Sequence, residues 1–404
     1  MAVIERGLAI SGGHPVREEM LVFGAPVLDA AEANEVLDTM RSGWIGTGPK
    51  TAAFEAQFAD YVGARHAVAV NSCTAALHLS LVVSRIGVGD EIITSPLTFC
   101  ATANVAVHQG AVPRFADIDP VTLNLDPSRV AEAVTTRTKV LLPVHFGGLP
   151  CAMSALNEIA RAHHLVMVED AAHAVGARYR STMIGGALGS LTCFSFYANK
   201  NLTTAEGGMI TCRDEALAKQ LAIWRLHGLS RDAWKRYRSR ALINSEAVCP
   251  GYKYNMTDLQ ASMGIHQLRK QERFLTIRER HARTYDAAFD RMDGVRRQSR
   301  DAEQGTRHAL HLYALILDPR QFRVDRDRIV EALRAENIGA AIHYNALHTH
   351  PYYRNRFGYR PSDFPVAAAI GENILSLPLT PGMSDADAED VVEAVGKVLC
   401  AYRR

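Results

Sequence analysis

Two rhythms of apolar residues divide the chain. From about residue 52 to 212, helix-length segments alternate with short, nearly unbroken apolar runs. Ala67–Val70 predicts a strand and Thr74–Val83 a helix; Glu91–Thr94 predicts the next strand and Ala101–His108 the next helix. Arg114–Ile118, Lys139–Val144 and Val166–Glu169 continue the strands, with helices from about 127 and 152 between them. Two further runs, one leading into Ser195 and one at Met209-Ile210, flank a polar stretch containing Lys200. Strands apolar on both faces and joined by helix-length crossovers predict a mostly parallel α/β sheet covered on both sides. Ligands of such sheets bind at the carboxyl ends of the strands.

Outside this region the pattern changes. Residues 1–29, with Gly12-Gly13, Pro15 and Pro26, predict an extended leader, and Ala31–Met40 predicts a helix closed by Ser42-Gly43. The glycine-rich run Trp44–Pro49 lacks the ending of a Walker loop and reads equally as a tight connector or a ligand-facing loop. After Cys212 come a helix to about Leu226, a polar basic stretch over Ser230–Cys249 and a long helix over Asp258–Phe289. The remainder predicts strands at Leu310–Leu317 and Gly339–Tyr344 and helices at Asp325–Glu336 and Asp385–Leu399. Three parts follow: a leader over 1–29, a large α/β domain over 30–265 and a small α+β domain over 266–404.

Composition narrows the function classes. With 404 residues, 48% hydrophobic and 22% charged, the chain is too long for one core and is neither disordered nor fibrous. A formal charge of +2 gives no global reason to expect nucleic acid or an anionic membrane as partner. Seven cysteines without CxxC spacing predict reduced thiols and a cytoplasmic protein. Glu5 and Arg6 argue against a signal peptide, and no apolar run is long enough for a membrane span.

Three strand ends carry candidate chemistry. Lys200, beside Asn199, Asn201, Thr203 and Thr204, is either a solvated loop charge or an amine held for reaction. Asp170 ends an apolar strand, where an acid needs a cationic or hydrogen-bonding partner or serves as a helix cap. Ser72, Cys73 and Thr74 lie where a strand breaks directly into a helix, and this is either a simple cap or an anion site built from free N–H groups. An anion cradle, a carboxylate and a lysine together are what pyridoxal 5'-phosphate demands, since it has a phosphate, a pyridine nitrogen and an aldehyde. Phe99, beyond another strand end, offers an aromatic face for the pyridine ring.

The chain resembles the DegT/DnrJ/EryC1/StrS family of sugar aminotransferases, most closely its 4-amino-sugar branch. The resemblance rests on Ser42–Pro49, Asn71–Leu77, Val144–Gly148, Glu169–Gly176, Phe194–Gly208, Pro250–Asp258 and His348–Arg354. It implies the aspartate-aminotransferase-like fold of pyridoxal-phosphate enzymes (fold type I). By this resemblance Lys200 carries the cofactor as a Schiff base, Asp170 pairs with the pyridine nitrogen and His173 lies near the phenolic oxygen. Cys73, Thr74 and Ser195 hold the phosphate, and Asn255 reaches it from the neighbouring subunit of a homodimer. Cys73 departs from the Gly, Ala or Ser more common in relatives, at a position that contributes mainly its backbone N–H. Thr47, Gly48 and His348 fall in family positions near the sugar.

The implied reaction moves an amino group from L-glutamate, leaving 2-oxoglutarate, to the C4 keto group of a UDP- or TDP-linked sugar by a ping-pong course. A basic loop with Arg231, Lys235, Arg236, Arg238 and Arg240 around Trp234 and Tyr237 reads either as a diphosphate grip or as a solvated flap. The histidines show no metal-ligand spacing, so no metal is assigned. Two other readings are a 3-keto-sugar or inosose aminotransferase on the same scaffold and a non-catalytic binding protein; the presence of lysine, acid and phosphate site disfavours the second.

Overall fold

The structure is a computed structural model that describes residues 7–186, 191–229, 246–300 and 303–404. Its centre is a seven-stranded sheet. The strands are β1 (His66–Val70), β2 (Glu91–Thr94), β3 (Val112–Phe115), β4 (Thr138–Leu142), β5 (Val166–Asp170), β8 (Leu191–Ser195) and β9 (Gly208–Cys212), with the short hairpin β6–β7 (Arg178–Tyr179, Thr182–Met183) outside the sheet. Their spatial order is β1-β9-β8-β5-β4-β2-β3. The run from β8 to β3 is parallel, while β9 pairs antiparallel with both β8 and β1. That exception positions the site: antiparallel neighbours need no helical crossover, so a compact loop joins β8 to β9, and Lys200 lies on it.

Crossover helices cover both faces. Consecutive residues of a strand point to opposite sides, so Met167 joins a core with Phe54, Phe58 and Phe194 while Val168 joins Leu77, Leu79 and Ile92. The first core lies under α2 (Pro49–Val62) and α6 (Met153–Ala162), the second under α3 (Cys73–Val83), α4 (Cys100–His108) and α7 (Glu215–Trp224). Each fully buried Phe or Leu contributes about 1.5–3 kcal/mol.

A second, three-stranded antiparallel sheet is formed by β10 (Val295–Arg297), β11 (Tyr313–Leu317) and β12 (Ile374–Leu377). It packs with α9 (Arg326–Ala335) and α12 (Asp385–Tyr402) around Leu315, Leu333, Leu377 and Val395. The helix α8 (Asp258–Phe289) joins the two halves. A capping box of Thr257 and Gln260 starts it, and its 32 residues span roughly 48 Å at 1.5 Å per residue. Ile265 and Leu268 pack in the large core and Ala282 and Tyr285 in the small one, so the expected boundary at residue 266 falls inside this helix.

The leader has only a single 3-10 turn, Ala9–Ser11, among its described residues. It is fastened to the small half by the buried Glu336, which accepts from the backbone N–H groups of Ala9 and Val16 and pairs with Lys397 at 2.7 Å.

Several elements differ from the expected pattern. Gly339–Tyr344 is not a strand: isolated bridges tie Ile338 to Leu21 and Ala341 to Ser376, after which the chain turns toward the site. The strands expected at Arg114–Ile118 and Lys139–Val144 sit earlier, at 112–115 and 138–142. Gly48-Pro49 opens α2 rather than only ending a loop, since proline is favoured in a helix's first turn. All seven cysteines are free.

Candidate active site

A cavity of about 340 Å³ opens at the carboxyl ends of the parallel strands. Its floor is built by three strand-to-loop transitions, at the ends of β1, β5 and β8. In the β8–β9 loop, a turn closed by the Lys200 N–H on the Tyr197 carbonyl at 2.9 Å sets the lysine at the cavity. Burial lowers its amine to about 8, with Cys73 and Asp170 acting in the opposite direction.

Asp170 ends β5 and is 5% exposed. Its carboxylate accepts from the Thr102 hydroxyl at 2.8 Å and from the Ala172 N–H at 3.1 Å. Burial raises its pKa, and these two donors, together with Lys200 and His145, pull it back. These two donors leave the carboxylate with acceptor capacity to spare, since an ionised carboxylate offers about four lone-pair sites.

The third transition is the start of α3. Ser72 is its N-cap, its hydroxyl accepting from the Ala75 N–H at 3.1 Å. The N–H groups of Cys73 and Thr74, at the first helical positions, have no intrahelical acceptor. Ser195, buried at the end of β8, adds a hydroxyl from the neighbouring strand end. Gly208 explains how the elements come so close: a Cβ there would stand 2.5 Å from the Ser72 carbonyl carbon and 2.8 Å from the Cys73 nitrogen.

The opposite wall joins His173, just after β5, to residues of the small half. His173 is buried with both ring nitrogens engaged: Nδ1 accepts from the Gly147 N–H at 3.3 Å, and Nε2 lies 3.1 Å from the Tyr344 hydroxyl. With Nδ1 accepting, the proton sits on Nε2, which donates to the Tyr344 oxygen. The Tyr344 O–H is thereby free to donate to a molecule in the cavity. Burial, then the Lys200 charge, holds His173 well below its usual pKa, so it stays neutral. Phe99 lines the mouth, 58% exposed and 6.1 Å from the Tyr344 ring.

The cavity thus gathers Ser72, Cys73, Thr74, Phe99, Asp170, His173, Ser195 and Lys200. It does not gather Thr47, Gly48, Asn255 or His348. Thr47 and Asn255 form their own cluster: the Asn255 amide donates to the Thr47 hydroxyl at 2.6 Å, and that hydroxyl donates to the Met256 carbonyl at 2.5 Å. The Gly48 N–H donates to Asp258 at 2.7 Å, and a Cβ at 48 would meet the Trp44 ring nitrogen at 2.1 Å. His348 is fully buried, edge-on to Phe364 at 5.0 Å. Arg231 and Lys235 lie outside the described residues.

Sequence reasoning missed Thr102, Tyr344, His343 and His311. Thr102 sits one turn into α4, directly after the β2 end, and the strand-end rule extends to it. The other three belong to the small half, where no strand-end rule applies.

The sheet order and the residues at its strand ends place the chain among the fold type I proteins, the α/β class that works with pyridoxal 5'-phosphate. The sequence model of the DegT/DnrJ/EryC1/StrS aminotransferase family matches residues 26–396, and the chain belongs to that family. It is 49% identical over 384 residues to the spore coat polysaccharide biosynthesis protein SpsC of Bacillus subtilis, covering 95% of this chain and 98% of that protein. A candidate sugar aminotransferase of Streptococcus pneumoniae, Spr1654, solved in its PMP form, superposes with a TM-score of 0.87 at 32% identity, over 94% of this chain and 99% of that one. DesI, solved in the presence of its TDP-sugar product, superposes with a TM-score of 0.85 at 31% identity, over 98% of this chain and 96% of that one.

Proposed function

We propose that this protein is a pyridoxal-phosphate-dependent aminotransferase that moves the amino group of L-glutamate to the C4 keto group of a nucleotide-diphosphate sugar. One observation carries the reading: Lys200, Asp170 and the open start of α3 converge on a single cavity. The donor set fits the cofactor. Free N–H groups and hydroxyls at a helix start suit a phosphate, a buried carboxylate with spare acceptor sites suits a protonated pyridine, and an amine lowered to about 8 suits a carbonyl. Similarity to DesI, solved with its TDP-sugar product, supports the nucleotide-sugar half.

When bound, the cofactor supplies an electron sink. The residues supply the rest. Cys73, Thr74 and Ser195 anchor the phosphate, and Asp170 keeps a proton on the pyridine nitrogen. Phe99 would cover the ring face, and His173 would lie toward the phenolic oxygen. Lys200, freed as a neutral amine, would take the proton from the amino donor's α-carbon and return it to the carbon of the cofactor's aldehyde, across the transferred nitrogen, acting as base and then acid. The same groups run the sequence in reverse on the keto-sugar, which gives ping-pong kinetics and releases 2-oxoglutarate first.

Thr47 and Asn255 lie together outside their own cavity, an arrangement that suits a homodimer in which they complete the partner's site. Thr47-Gly48 and His348 are assigned to the sugar side and Arg231 and Lys235 to the diphosphate. Mixing Lys200→Ala with Asn255→Ala protein tests the shared site: random re-pairing should restore about a quarter of wild-type sites, whereas no restoration would refute sharing. The function itself is tested by incubating enzyme, cofactor and glutamate with UDP- and TDP-keto-sugars and identifying products by mass and NMR. A 4-amino sugar nucleotide is the expected product; amination of a 3-keto-sugar or of an inosose would contradict the assignment.

A further inference from the structure

His311 belongs to no motif, yet it is 6% exposed and holds a defined place beside Lys200. It arrives on the segment leading into β11, which is fastened to the Gly147-Gly148 turn of the large half. The His311 N–H donates to the Gly147 carbonyl and the Ala309 N–H to the Gly148 carbonyl, each at 2.9 Å.

The tautomer follows from a chain of contacts. The Asn201 amide nitrogen donates to the Ala309 carbonyl at 2.7 Å, which turns its Oδ1 toward His311. That oxygen lies 3.3 Å from His311 Nδ1. An amide oxygen only accepts, so Nδ1 carries the proton. Nε2 is left with a lone pair, 3.3 Å from Lys200 Nζ.

We propose that His311 is a positioning residue that accepts a hydrogen bond from the Lys200 amine whenever that amine is free, holding it over the cavity floor. The proposal rests on Lys200 being the reacting amine. A neutral amine that gives one N–H to His311 keeps its lone pair for the cavity, where a donor's α-carbon would lie. Among the described residues, His311 is the side chain within hydrogen-bond distance of Nζ. The other titratable groups that act on or feel Lys200 are Asp170 at the end of β5, Cys73 at the start of α3, His173 after β5 and His343 before Tyr344. Burial and the neighbouring Lys200 charge keep His311 neutral, so it remains an acceptor.

The test uses full-length protein freed of cofactor. Lys200 is titrated by its rate of reductive methylation between about pH 6 and 11, read by mass spectrometry of its peptide. An acceptor favours the ammonium over the amine, so His311→Phe should lower the midpoint by about one pH unit. His311→Gln, which can place an amide oxygen near the Nε2 position, should restore it. In the loaded enzyme, kcat should fall about tenfold in the Phe variant with little change in KM, and the Gln variant should recover most of it. If the Phe variant does not fold, His311→Asn keeps a donor for Asn201 while its shorter side chain brings no acceptor to the Nε2 position, and it carries the same prediction.

An unshifted midpoint in a folded Phe or Asn variant overturns the proposal, because a merely structural residue would alter thermal stability and leave the titration in place. Cofactor uptake by the wild type, followed by absorbance, separates the two levels. Failure of uptake overturns the functional reading and the role drawn from it. Normal uptake with an unshifted midpoint overturns the His311 role alone.

Discussion

The cavity has two walls of different origin. One is made by the large sheet, where β1, β5 and β8 end at Ser72, Asp170 and the Lys200 loop. The other carries His343 and Tyr344 from the small half, with His173 bonded to it through Tyr344, while His311 of the same half touches Lys200 without lining the cavity. The first wall supplies groups whose chemistry is used directly: an amine, a carboxylate and open N–H donors. The second supplies neutral rings whose protons are fixed by backbone contacts, Gly147 for His173 and, through Asn201, Ala309 for His311. Reactive groups stand at the strand ends of the large sheet and on the loop between β8 and β9, and the groups that orient them dock from outside it. Substitutions in the first wall should therefore remove chemistry, and those in the second should detune it.

The largest effect is expected at Lys200. Lys200→Ala should bring turnover to background and remove absorbance near the visible edge, and normal activity in that variant would end the assignment. Asp170→Asn should lower kcat about 10²- to 10³-fold, as for loss of a preorganised electrostatic partner; near-normal rates would show that the acid belongs to a cap.

On the second wall, Tyr344→Phe should reduce kcat about tenfold while leaving cofactor affinity close to wild type, by spectroscopic titration. A loss as deep as that of Asp170→Asn would erase the distinction between the walls.

The pH dependence of cofactor uptake offers an intermediate check. Only the neutral amine attacks a carbonyl, and with its pKa lowered to about 8 Lys200 is neutral above that pH rather than only above its ordinary value. Stopped-flow uptake should thus rise about tenfold per pH unit below about 8 and level off above it. A rise continuing past pH 10 would mean that the amine is solvated. The smallest effect is structural: Ser72→Ala removes the cap of α3 and should cost about 1 kcal/mol in urea unfolding, with weaker phosphate retention.

The difference between the walls also explains what the sequence made legible. Strands buried on both faces leave unbroken apolar runs, and the polar residues that follow each run mark a strand end. Ser72 and Asp170 are legible in this way, whereas the roles given to Ser195 and Lys200 come from the family resemblance. The long helix α8 was readable because a capping box precedes a sustained period over Asp258–Phe289. His311 and Tyr344 were not. The apolar run at 310–317 reads as one strand, yet β11 begins at Tyr313, because Ala309, His311 and Leu312 bond to the 147–148 turn instead of to a neighbouring strand. Gly339–Tyr344 has the composition of a strand, but its hydrogen bonds go to the leader and to Ser376 singly. Contacts between segments so distant in sequence leave no local periodicity to read.

The central claim is that Lys200 is the amine that carries the cofactor. Incubation with pyridoxal 5'-phosphate, reduction with borohydride and peptide mass spectrometry test it in one measurement. The account predicts the reduced cofactor on the Lys200 peptide, in near-stoichiometric yield. Its appearance on any other lysine, or on none, would contradict it.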